Sequence, residues 1–124
     1  MPSVIPTIQY DDARRAIDFL ERAFGFERAA VHEDDGRVAH AELTYGDGML
    51  MLGDRKPGDD RFRTGRAVTY VVVPDADAHH ARAVAAGAEV VQPLTDQDYG
   101  SREYAALDPE GNVWSFGTYA PSTG

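Results

Sequence analysis

His40 and Glu42 stand two residues apart in the run Ala39-His40-Ala41-Glu42-Leu43-Thr44. On an extended strand residues i and i+2 share a face, so an imidazole and a carboxylate would project side by side. Such a pair can pass a proton, and its carboxylate can hold a cationic group. Ala39, Ala41 and Leu43 would then face a covering helix, leaving His40, Glu42 and Thr44 on the other side. Arg102, Tyr99 and Tyr104 flank the loop Gln97-Asp98-Tyr99-Gly100-Ser101, and an aromatic-plus-arginine rim there suits a planar or acidic substrate.

Other residues with chemical potential lack the required context. His79 and His80 are neighbours on a helical segment, about 100° apart around its axis, so they cannot easily grip one ion from one face. Both are expected to be exposed, and His32, beside a hairpin, to be solvated. Gly46-Asp47-Gly48 has no lysine or threonine in phosphate-loop order. Ser3, Ser101, Ser115 and Ser122 have no nucleophile-elbow surroundings. The chain has no cysteine, which excludes disulfides, thiolate metal sites and a thiol nucleophile.

The elements that must position these groups are legible in the pattern. Val4 to Tyr10 suits a strand, Asp12 a helix cap, and Ala13, Ala16, Ile17, Leu20, Ala23 and Phe24 recur at helical spacing up to Gly25. Strands are predicted over Glu27–His32, Arg37–Tyr45 and Met49–Leu52, the first two joined by Glu33-Asp34-Asp35-Gly36 as a hairpin. The order then repeats. Ala67–Val73 reads as a strand, and Asp75 or Asp77 caps a helix through Ala78, Ala81, Val84 and Ala85 that stops at Gly87. Further strands start at Glu89–Val91 and cover Arg102–Leu107 and Asn112–Tyr119, with the turn Asp108-Pro109-Glu110-Gly111 before the last. Gly25 and Gly87 lie 62 residues apart, Gly48 and Gly111 63, and Gly53 and Gly117 64, so the landmarks of a duplicated β-α-β-β-β unit keep register.

The 124 residues therefore divide into module one (about 3–53), a charged, glycine-rich linker loop (54–66), module two (about 67–119) and a tail (120–124), read together as one α+β domain. About 60 residues is marginal for independent folding. Each half is instead expected to cover one sheet face with its helix and to curl the other around a cleft, formed within the chain or by exchange between two chains. A composition that is 43% hydrophobic and 27% charged excludes wholesale disorder. The net charge of −9 argues against nucleic acid as a partner and for steering of cations. No apolar run reaches the ~18 residues of a membrane span. The opening Met1-Pro2-Ser3-Val4-Ile5-Pro6 lacks the features of a secretory signal, so the expected location is cytoplasmic.

Two such modules, with Ala23-Phe24-Gly25-Phe26 closing the first helix and Asp108-Pro109-Glu110-Gly111-Asn112 before the last strand, resemble the vicinal oxygen chelate superfamily over nearly the whole chain. That group includes glyoxalase I, fosfomycin-resistance transferases, extradiol dioxygenases and bleomycin-resistance proteins. The resemblance implies tandem βαβββ modules forming cupped mixed sheets around a central small-molecule cleft. Its metal-dependent members carry histidine or glutamine on each module's first strand and glutamate on its last. Those positions fall here on Ile5, Val68, Ser115 and either Met51 or Leu52. Isoleucine and valine have no donor atoms, and a hydroxyl or thioether is a weak ligand for such ions. Glu42-Leu43-Thr44-Tyr45 looks like a glyoxalase ligand strand, but it precedes Gly46-Asp47-Gly48 and so is the penultimate strand of its module. A metal held by His40 and Glu42 would need further ligands nearby.

The reading that results is a metal-free, bleomycin-resistance-like binding protein, leaning away from an enzyme and requiring no cofactor. It would sequester a cationic or aromatic small molecule, with a cleft formed at a homodimer interface. By family parity Thr7, Gln9 and Tyr70 line the cleft with Ser115 and Val113, while Trp114 and Phe116 face the helix layer. Apolar contact would come from Ile5, Val68, Met51 and Tyr70, and orientation from Glu42, His40, Thr7 and Gln9. The alternative is a glyoxalase-like lyase, isomerase or transferase using either an unplaced divalent metal or His40 and Glu42 as an acid–base pair.

Overall fold

The computed structural model describes residues 2–62 and 65–121. The chain divides into two compact units, Met1–Arg66 and Ala67–Gly124. In the first, strand β1 (Thr7–Tyr10) leads into helix α1 (Ala13–Phe19), which widens into a π-helical turn over Leu20–Phe24. Strands β2 (Glu27–Asp34), β3 (Arg37–Tyr45) and β4 (Gly48–Asp54) follow, in the sheet order β1-β4-β3-β2. The second unit runs β5 (Thr69–Val72), α2 (Ala76–Ala85), β6 (Glu89–Asp96), β7 (Arg102–Leu107) and β8 (Val113–Gly117), in the order β5-β8-β7-β6. In both sheets the first strand pairs parallel to the last and every other pairing is antiparallel. This is the duplicated βαβββ unit that the spacing predicts. Among the described residues no helix is long and apolar enough to cross a membrane.

Local chemistry explains the element ends. The Asp12 carboxylate accepts from Arg15 N–H at 3.1 Å and starts α1. Asp75, not Asp77, caps α2, accepting from Ala78 N–H at 3.0 Å, and Asp77 lies in the first turn. The π-helical turn carries Leu20, Ala23 and Phe24 into the core, where Phe19 and Phe24 meet edge to face at 5.0 Å. Gly25 then ends the helix at φ 85°, a left-handed conformation that a side chain resists. The β2–β3 hairpin closes on two residues, Asp35 (φ 52°) and Gly36 (φ 76°), so β2 extends to Asp34 rather than stopping at His32.

Several strands differ in length from the sequence expectation. β1 begins at Thr7, because Pro6 has no N–H to give and contributes only its carbonyl, to Met51 N–H. Ile5 therefore precedes the strand. β6 continues past Val91, across Pro93, to Asp96; it is an edge strand, and register shifts after Val90 and Gln92 absorb the proline.

Ala41, Leu43, Leu50, Leu52 and Tyr10 are buried in the first unit together with Ile17, Leu20 and Phe24 of the helical segment. Ala39, expected among them, is exposed. His32 pairs with His40 while Glu33 pairs with Val38, so a bulge at Ala39 resets the alternation and gives the buried place to Val38. Gly53 packs on that bulge: a Cβ there would lie 2.9 Å from the Ala39 carbonyl oxygen. Asp54 ties the region together, one carboxylate oxygen accepting from Ala13 N–H (2.8 Å) and the other from Val38 N–H (2.7 Å).

The second core holds Trp114, Phe116, Tyr104, Ala106, Val71 and Val73. His79 belongs to it too, contrary to its expected exposure. It follows Ala76 by three residues and precedes Ala83 by four, the inward line of α2, and its ring lies 4.3 Å from that of Phe116. His80 is half-buried, edge-on to Tyr104 at 5.0 Å. The turn after β7 is organised by Asp108, only 4% exposed. Its carboxylate accepts from the N–H groups of Glu110 and Asn112, from the Asn112 amide and from Trp114 Nε1–H.

Candidate functional site

On the face of the first sheet opposite its buried residues, alternation sets Thr7 and Gln9 on β1, His40, Glu42 and Thr44 on β3, and Met49 and Met51 on β4. Register aligns Thr7, Met51 and Glu42 in one row across three strands. His40 Nε2 lies 2.9 Å from Glu42 Oε2. A carboxylate only accepts, so the proton of this bond sits on Nε2. The His32 ring stacks near His40 at 6.1 Å. Side-chain exposures of 41% for His40 and 34% for Glu42 leave both within reach of a solute.

Gln9 pairs in register with Gly53, which puts no side chain beside it on the neighbouring strand. Its Oε1 is buried and has no hydrogen-bond partner among the described residues. Buried polar atoms normally have partners, so a lone one asks for an explanation.

The positions where the resemblance implies metal ligands can now be compared. Ile5 is half-buried ahead of β1, and Val68 is exposed ahead of β5. Thr7 pairs with Met51 as Tyr70 pairs with Ser115, so Met51 rather than Leu52 is the counterpart of Ser115. Leu52 is buried with the core. Two hydrocarbons, a thioether and a hydroxyl do not form a donor set for a hard or borderline divalent ion. Among the described residues no group of three or more histidine, aspartate or glutamate side chains is arranged to hold a metal. The superfamily's metal does not fit these residues.

In the second sheet Tyr70, Glu103, Ala105, Ser115 and Gly117 occupy the face opposite Trp114, Phe116 and Tyr104. Three expected rim residues separate here. Tyr104 is fully buried, its hydroxyl 2.5 Å from His79 Nδ1 on α2, and cannot contact a ligand at a surface. Arg102 bonds Asp77 on α2 and Asp96 on β6, the latter at 3.0 Å, and both hydrogen bonds hold its proton more firmly than usual. Alternation along β7 puts Arg102 and Tyr104 on one face and turns Glu103, between them, to the other.

Glu103 is the residue sequence reasoning missed. It is 8% exposed; one carboxylate oxygen accepts from Tyr99 OH at 2.8 Å and the other from Ser101 Oγ at 2.9 Å. The hydrogen bond to Glu103 pushes the Tyr99 phenol up to about 12. Burial, with the Glu103 charge, also raises that of Tyr70, whose hydroxyl donates to the Tyr119 carbonyl at 2.8 Å. Ser101 Oγ accepts from Tyr119 N–H. Gly117 makes the room: a Cβ there would sit 2.6 Å from both Glu103 Cγ and the Tyr70 hydroxyl. The usable signal was the Ser101–Glu103 spacing of two, the same spacing that singled out His40 and Glu42.

Comparison with known proteins agrees with this architecture. The Glyoxalase/Bleomycin resistance protein/Dioxygenase superfamily matches residues 4–116, and the chain belongs to that superfamily. An uncharacterized protein of Mycobacterium bovis is 39% identical over 125 residues, covering 94% of this chain and 82% of the relative. The crystal structure of TioX from Micromonospora sp. ML1 superposes with a TM-score of 0.79 at 33% identity, covering 99% of this chain and all of that one. A glyoxalase/bleomycin resistance protein from a Streptomyces species shares the fold at a TM-score of 0.73 and 23% identity, over 90% of this chain and 96% of that one.

Proposed function

We propose that this chain is a metal-independent binding protein that sequesters a cationic, aromatic small molecule on the helix-free face of its first sheet. The observation that carries the reading is the His40–Glu42 pair, whose carboxylate stays 34% exposed on that face. Glu42 supplies the counter-charge, since the bond to His40 engages Oε2 and leaves Oε1 to accept from a ligand. Met49 and Met51, both half-buried, offer adaptable apolar contact for a ring. The chain's net charge of −9 favours the approach of cations.

Calorimetric titration with a cationic planar dye of the acridine class, beside a neutral and an anionic aromatic of similar size, tests this reading. Saturable binding confined to the cation, weakened by Glu42→Gln, is expected. Equal affinity for all three compounds, or an unchanged affinity in the variant, overturns it.

A second reading has one observation in its favour, the 2.9 Å contact between His40 and Glu42. An imidazole oriented by a carboxylate is a competent general base, and a lyase or isomerase could use it. Turnover that disappears in His40→Ala while ligand affinity persists would favour this enzyme over a sequestering protein.

A further inference from the structure

We propose a second binding site, on the helix-free face of the second sheet, for a small alkylammonium group held by Tyr99 and Tyr119 over the Glu103 carboxylate. It uses none of the residues assigned to the first sheet and does not rest on the reading given for them.

The charge of the site comes first. Glu103 is more than nine-tenths buried, and among the described residues the partners of its carboxylate are hydroxyls, Tyr99 and Ser101. A buried carboxylate bonded only to neutral donors keeps its charge uncompensated, an expensive arrangement that a cation would relieve. The neighbouring base cannot do so: Arg102 is committed to Asp77 and Asp96. Asp98 adds negative potential at Tyr99. The site therefore selects for positive charge, the reverse of what an arginine rim would have taken.

The shape comes next. The rings of Tyr99 and Tyr119 stand at 83° to each other with centroids 5.7 Å apart, forming two walls of a corner. They remain 56% and 47% exposed, unusual for large aromatic groups, so ring surface is available to a solute. A cation within about 6 Å of a tyrosine centroid is attracted by the ring quadrupole, and alkylated ammonium groups suit such walls because they need no hydrogen bond. The corner is held in place from behind. Tyr99 is tied to Glu103, the Tyr119 backbone to Ser101 and Tyr70, and Gly117 leaves the space in which Glu103 and Tyr70 meet. A site assembled before the ligand arrives spends little affinity on ordering.

Choline and its uncharged isostere 3,3-dimethylbutan-1-ol test the proposal by amide chemical-shift titration of the full chain. Choline is expected to shift the amides of residues 99–104 and 117–119 saturably, with the isostere at least about tenfold weaker. Tyr119→Leu, which removes an exposed ring, should weaken choline about two- to fivefold. Glu103→Gln should weaken it further, and if that variant fails to fold, Tyr119→Leu still decides. Equal binding of the isostere, no saturable shift at about 50 mM choline, or indifference to Tyr119→Leu overturns the proposal.

Discussion

The Asp108 carboxylate accepts a 3.1 Å hydrogen bond from Nε1 of Trp114, six residues along the chain and 1% exposed. The same carboxylate closes the turn that returns the chain into β8. One side chain therefore satisfies both the turn's backbone donors and the only polar atom of the largest core residue. The turn that marks the family resemblance is structural in this protein.

Asp108→Ala removes every one of these acceptors and strands a buried indole N–H. An unsatisfied buried donor costs about 1–3 kcal/mol. Urea denaturation followed by Trp114 fluorescence should show a lower midpoint with an unchanged slope, and Asp108→Asn, which keeps one acceptor oxygen, should lose less.

Tyr99 gives a prediction in pH. Its phenol, normally near 10, is pushed up to about 12 by Glu103, so the folded chain favours the protonated form. The stabilisation is present in full below pH 10 and is lost as pH rises through about 12. Absorbance titration near 295 nm should show a late-ionising phase, to which Tyr70 also contributes, that is one tyrosine smaller in Tyr99→Phe and in which the Tyr99 step moves back toward pH 10 in Glu103→Gln. A late phase of undiminished amplitude in Tyr99→Phe would assign it elsewhere.

Gly53→Ala should be destabilising for a reason unrelated to backbone freedom. The added Cβ would meet the Ala39 and Val38 carbonyl oxygens at 2.9 and 3.3 Å, and backbone cannot swing aside as a side-chain end can. Overpacking of this kind costs about 1–3 kcal/mol, measurable by thermal melting. A variant as stable as the parent would show that the Ala39 bulge yields.

The fold was legible because each of its devices is local. Asp12, Gly25, Gly87 and the Asp108 turn act over a few residues, and their spacing repeats between the halves. What escaped depends on partners distant in sequence. Nothing near Ala39 announces the bulge, which exists because β2 and β3 slip past one another at Glu33. His79 reads as a polar helix residue until Tyr104, 25 positions away, supplies its partner. Glu103 reads as a solvated charge because its burial comes from Tyr99 and Ser101 folding over it. On the first sheet the register puts Thr7, Met51 and Glu42 in one row, although the bulge at Ala39 breaks the alternation farther along β3. Around Arg102 and Tyr104 proximity in sequence was read as a common rim, although Tyr104 is buried against His79 and Arg102 is bonded to Asp77 and Asp96.

The account turns on ligand binding that needs Glu42 and no metal. Calorimetric titration of the acridine-class cation into protein dialysed against EDTA, with and without Glu42→Gln, measures both at once. The account predicts an affinity unaffected by the chelator and about tenfold weaker in the variant, a loss of about 1.4 kcal/mol. Binding abolished by EDTA and restored by nickel, zinc or manganese, with Glu42→Gln indistinguishable from the parent, would contradict it.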